Sequence, residues 1–231
     1  MDKKKVVFVC LFIVIVLTNY KVSFAERKVH LFDSILAETN TKVIEYGIDE
    51  KFQTTNGNIS IDNLINLFDD KLFNYSTKII DTEDVYRMEF NSKNGTGFIS
   101  VVPYESKYLY HISILIYDDN IKIDDIENDL KGFTRNYNIE NAIYYIYAKA
   151  KLDKDIDIEE YNNKIIDLLK NYGSTNVKTV SINNGFSTIA NTHQFNGKKS
   201  NGKFIDFNFA TCNYESGNYL IMGTPEIIKT Y

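Results

Sequence analysis

Apolar and polar positions along the chain switch repeatedly between a helical period and a strand period. After an unbroken apolar run from Val6 to Leu17, residues His30–Asn40 place Leu31, Ile35 and Leu36 on one side and predict a short helix. Lys42–Gln53 alternates Val43, Glu45 and Gly47 against Ile44, Tyr46 and Ile48, the pattern of a strand. Ser60 then caps a helix carrying Leu64, Ile65, Leu67, Phe68 and Leu72. Three strands are predicted next, over Lys78–Asn91, Thr96–Tyr104 and Tyr108–Tyr117.

The cycle then restarts. Asp124 with Glu127 forms a capping-box pattern for a helix over Asp125–Asn136. Ala142–Leu152 reads as a strand, and Asp157 with Glu160 opens a helix bearing Tyr161, Ile165, Ile166, Leu168 and Leu169. Strands over Asn176–Phe195, Lys203–Asn213 and Tyr219–Tyr231 complete it. Turns match as well: Asn94-Gly95 precedes Phe98-Ile99, as Asn201-Gly202 precedes Phe204-Ile205, and each Asn-Gly suits a tight hairpin. Tyr104-Glu105-Ser106 is mirrored by Tyr214-Glu215-Ser216. Two turns matching in order predict an internal duplication, 26–121 and 122–231, with insertions absorbed at surface turns. The expected architecture is α+β: two pseudo-symmetric repeats joined into one long curved antiparallel sheet, a saddle with helices on its convex face.

Composition alters the picture at the N-terminus. Lys3, Lys4 and Lys5 precede the apolar run, and Ser23-Phe24-Ala25 follows it, so residues 1–25 read as a signal peptide cut between Ala25 and Glu26. The run is too short to span a bilayer, which takes about 20 apolar residues, so no stable membrane span is expected after cleavage. Removing four lysines and Asp2 from 26 basic and 31 acidic residues leaves 22 and 30, a net charge of −8. An acidic exported chain is a poor partner for phosphate backbones, and nucleic acid is disfavoured as a ligand by both charge and location. The location expected is secreted or extracytoplasmic, at the cell surface.

Local chemistry is sparse. His30, His111 and His193 form no HExxH, HxH or CxxC pairing, so neither metal nor cofactor is expected. Folding could still gather a Ser–His–Asp set around one of them. Asp153-Lys154-Asp155-Ile156-Asp157 superficially has the look of a calcium loop, but Ile158 stands where such a loop needs Gly and Lys164 where it needs the closing Glu. Helix capping accounts for it. Asp118, Asp119, Asn120, Asp124 and Asp125 form an acidic linker plus cap. Cys212, the one cysteine left after cleavage, lies in an alternating run and reads as a small buried side chain. Tyr104, Tyr108, Tyr110, Tyr144, Tyr145 and Tyr147 form the main binding candidate: on one sheet face they could stack on glycan rings or clasp an envelope peptide.

The C-terminus, Gly223-Thr224-Pro225-Glu226-Ile227-Ile228-Lys229-Thr230-Tyr231, resembles the closing Gly-Thr-Pro strand of the YwmB-like family of exported Firmicute proteins. Gly185-Phe186-Ser187 is similar to that family's Gly-aromatic-Ser/Thr turn. The resemblance implies a fold like that of the TATA-box-binding protein, and it brings no activity to any residue here. Fold likeness does not transfer DNA binding. The expectation is a non-catalytic binding or interaction protein of the envelope whose partner is a protein, peptide or glycan. The alternative is a secreted hydrolase acting on envelope material.

Overall fold

The structure, a computed structural model, describes residues 31–55, 59, 63, 64, 66, 67, 76–117 and 123–227. The signal segment, His30, Ser60, Asp118–Asn120 and the last four residues lie outside them. Helix α1 covers 31–39, and positions 63, 64, 66 and 67 belong to α2. Helix α4 (Ile158–Asn171) starts where its capping pattern places it, whereas α3 (Ile123–Asn136) begins two residues before the expected Asp125, so Asp124 lies within the helix instead of capping it. Asp157 is the N-cap of α4: its carboxylate accepts from the amides of Glu159 at 2.8 Å and Glu160 at 3.3 Å.

Twelve strands are described: β1 (Lys42–Thr54), β2 (Ser76–Asp81), β3 (Tyr86–Asn91), β4 (Gly95–Tyr104), β5 (Lys107–Ile116), β6 (Ile143–Leu152), β7 (Thr175–Ile182), β8 (Gly185–Asn191), β9 (Lys198–Ser200), β10 (Lys203–Ile205), β11 (Phe207–Tyr214) and β12 (Gly217–Thr224). Ten form one antiparallel sheet in the order β2-β3-β4-β5-β1-β6-β12-β11-β8-β7, and β9 with β10 makes a separate hairpin. The fold is therefore α+β around a large antiparallel sheet. Its middle is β1, paired with β5 on one side and β6 on the other.

Four expected strands end or break early. Lys78–Asn91 is two strands, because Thr82 closes a turn: its N–H donates to the Val85 carbonyl, and its Oγ1 accepts from the Val85 amide. Asn176–Phe195 likewise splits into β7 and β8 ahead of Gly185, whose φ of +153 suits a residue without Cβ. Lys203–Asn213 breaks at Asp206, a fully buried acid that a regular strand could not satisfy. The last strand stops at Thr224 rather than Tyr231, since Pro225 has no N–H for the ladder. Of the two Asn-Gly turns, Asn201 and Gly202 adopt positive φ (48° and 78°) in a tight hairpin, joining β9 to β10. Asn94-Gly95 does not. There Ser92 Oγ organises the bend by accepting from the amides of Asn94 and Gly95.

One sheet face is buried under helices in two clusters. Ile48, Phe52, Met88, Phe90, Ile99, Ile112 and Ile114 pack beneath Ile126, Leu130 and Phe133 of α3. Ala148, Leu152, Phe207, Phe209, Leu220 and Met222 pack beneath Ile165 and Leu169 of α4 and beneath Leu31 and Ile35 of α1. Helix α1 thus covers strands from the C-terminal part, while α3 covers strands from the N-terminal part. The two halves of the chain do not own separate cores. Among the described residues no helix is long and apolar enough to cross a membrane.

Candidate functional site

Strand alternation sends the remaining side chains to the face opposite the helices, and its two ends differ. Around β6, β12 and β11 that face is apolar: Tyr147, Ala210, Cys212, Tyr219 and Ile221 form a third cluster, with Leu115. After the cis Thr224–Pro225 bond the chain turns back over it. Ile227 packs on the cluster, and its N–H reaches Asn208 Oδ1 at 3.4 Å. A Cβ on Gly223 would lie 2.5 Å from the Glu226 carbonyl oxygen, so glycine is what allows this return. Cys212 is fully buried, as its alternating context predicts, and burial pushes its thiol pKa up, away from a reactive thiolate.

Toward β3 the same face is polar and open. Arg87 holds its guanidinium 3.6 Å from the centre of the Phe98 ring and donates from Nε to Glu89 Oε1 at 2.9 Å. Phe98 meets the His111 imidazole edge-on, centroids 4.8 Å apart. His111 Nε2 donates to Asp49 Oδ2 at 2.8 Å. Asp49 Oδ1 accepts no hydrogen bond and has the Lys51 ammonium at 3.6 Å, and Lys51 lies 5.8 Å over the Tyr145 ring. One line of contacts thus crosses β3, β4, β5, β1 and β6. Beside it runs a groove of about 470 Å³ lined by Lys78, Arg87, Glu89, Phe98, Ser113 and Leu115 among others.

Beneath the other face lies a second unusual acid. Glu50 is fully buried, and neither carboxylate oxygen forms a hydrogen bond of normal geometry. Desolvation pushes its pKa up to about 8, with the adjacent Tyr144 hydroxyl working weakly the other way. Tyr144 itself shares a 2.8 Å hydrogen bond with Thr134 of α3, and its own pKa is raised, chiefly by burial. Glu127 and Lys131 pair on the same helix. Glu50 is thus held protonated at neutral pH, among structural neighbours.

The six tyrosines do not share a face. Tyr110 and Tyr144 sit on the helix side, Tyr110 stacked on Phe52 at 4.8 Å and donating to the Ile59 carbonyl. Tyr145 and Tyr147 are opposite, Tyr147 buried in the apolar cluster. Tyr104 and Tyr108 are exposed at the β4–β5 turn. His193 is exposed near Thr175 Oγ1. Ser100 stands opposite His111 in register and makes no hydrogen bond to it. Among the described residues no group of three or more His, Cys, Asp or Glu side chains is placed to hold a metal ion. Nothing local in the sequence marks Asp49, Arg87 or Phe98 as site residues, because they come together only through strand pairing, 62 residues separating His111 from Asp49. Their signal was slight: polar or aromatic residues on the alternate positions of apolar strands.

No protein-family model matches the chain, and no curated protein matches it in sequence.

Proposed function

We propose that this chain is an exported, non-catalytic binding protein of the cell envelope, with its ligand surface on the open face of β2–β5 and β1. The contrast between the two ends of that face carries the reading. One end is apolar and closed by residues 225–227; the other holds an ordered row of charged and aromatic side chains that no other described element covers. Ordering such side chains costs entropy, and half-exposed ion pairs return little stability. A row of this kind is better explained by a ligand than by folding.

The architecture in this proposal is a saddle of two repeats. From the middle of the sheet outward the strands run β1-β5-β4-β3-β2 one way and β6-β12-β11-β8-β7 the other, the same order of succession in 26–121 and 122–231. Likeness to the YwmB-like family belongs to the same proposal and adds export without a ligand. Duplex DNA is not the ligand in this reading, since the mature chain carries a net −8. The test has two arms. Exported material should begin at Glu26. The purified chain should be retained by envelope preparations, and an Arg87→Ser/Phe98→Ala variant that keeps its fold should lose that retention; equal retention overturns the surface assigned.

A hydrolase is the second reading, favoured by one observation, the His111–Asp49 hydrogen bond with Ser100 opposite. It requires ester or amide turnover that disappears in both His111→Ala and Ser100→Ala.

A further inference from the structure

The ten-stranded sheet has two edges, and they differ. At β7 the register slips between Thr175 and Lys178, the Asn176 side-chain amide donates to the Phe204 carbonyl, and β10 lies alongside. Bulges and covering hairpins are how a sheet blocks its edge. At β2 the pairing with β3 is unbroken over all six residues, and the strand is exposed almost throughout, Ile79 to 57%. The Thr82–Val85 hydrogen bond sets the alternation: residues 76, 78 and 80 bond to β3, so Thr77, Ile79 and Asp81 turn their N–H and C=O groups outward. Among the described residues no strand pairs with the outer side of this edge, and it carries neither a bulge nor a covering hairpin.

We propose that β2 takes up an extended peptide segment of another protein as an eleventh, antiparallel strand. Strand addition draws affinity from main-chain hydrogen bonds and selectivity from alternate side chains. Residues opposite each other share a face. Opposite Lys78, which has no ion-pair partner among the described residues and lines the groove beside Arg87, the peptide carries an acid. Opposite Ile79 and Ile80 it carries apolar residues. Opposite Asp81, next to the acidic turn residues Glu83 and Asp84, it carries a base. A second copy of this chain is the poorer occupant. Six residues span about 20 Å of edge, and one such ladder falls well short of the roughly 1,200 Å² that a stable dimer buries. The inference goes beyond the reading above, since it depends neither on export nor on the Asp49–His111 pair.

The probe is a fluorescent peptide, Thr-Lys-Val-Val-Glu-Thr, with blocked ends, titrated by anisotropy against the purified full chain. Binding is expected, weakened about tenfold or more by N-methylation of the peptide nitrogens facing β2 or by Ile79→Pro, which removes one outward N–H and leaves the pairing with β3 intact. Ile79→Val should retain affinity, and Lys78→Glu should weaken it about fivefold. No binding, or equal binding by the N-methylated peptide, overturns the proposal whether or not the Pro variant folds. So does concentration-dependent dimerisation that Ile79→Pro abolishes, since the edge would then belong to a second copy.

Discussion

The imidazole of His111 on β5 and the carboxylate of Asp49 on β1 meet at 2.8 Å on the sheet face opposite helices α1, α3 and α4. Asp49 is almost fully buried, flanked by Lys51, while His111 is braced by the edge of Phe98. A pair so fixed should be energetically coupled. In a double-mutant cycle, Asp49→Ala and His111→Ala are expected to show a coupling of about 1 kcal/mol in urea unfolding. Strictly additive effects would make the contact incidental and weaken the case for an ordered surface.

Glu50 predicts a pH dependence of stability. In the unfolded chain its carboxyl loses its proton near 4.5, whereas the folded protein keeps it to about 8. Between those values the folded state holds a proton that the unfolded state has released, so raising the pH favours unfolding. The neutral form is tolerated below 4.5; the loss accumulates from 4.5 to 8 and then levels off. At 1.36 kcal/mol per pKa unit the full effect is of order 5 kcal/mol. Glu50→Gln should flatten this part of the profile and be the more stable protein at pH 8. Parallel profiles for the two proteins would show that Glu50 does not carry the slope.

Asp206 predicts a local collapse. Its buried carboxylate accepts from the Thr192 amide at 2.6 Å, the Thr192 hydroxyl, and the amides of Gln194 at 3.0 Å and Phe195 at 3.2 Å. Removing it strands several donors at once. Asp206→Ala should cost about 3 kcal/mol and speed hydrogen exchange at residues 192, 194 and 195 ahead of the rest of the sheet. Unchanged exchange there would mean that the loop holds without its acid.

Asp157→Ala tests the α4 cap. The loss expected is about 1 kcal/mol, with Asp157→Asn or Asp157→Ser recovering most of it. A neutral alanine would assign the start of the helix to packing alone.

Whatever depends on near neighbours could be read from the sequence. The Asp157 cap, the helix over 158–171, the turn at Asn201-Gly202 and the buried character of Cys212 each follow from a few adjacent residues whose preferences agree. Strand ends were harder, because the bend at Thr82 and the break at Asp206 look no different from ordinary polar positions in a strand. The tyrosines show where local reading stops. Their alternation is visible, but the face each one takes depends on register, and register is set by what packs against the sheet. Only the tertiary structure could exchange α1 and α3 between the two cores, bury Glu50 beneath the sheet, or carry Asp49 across to His111. Those relationships join residues far apart in the chain, and a helix or strand pattern specifies which side of an element is apolar, not which element it will meet.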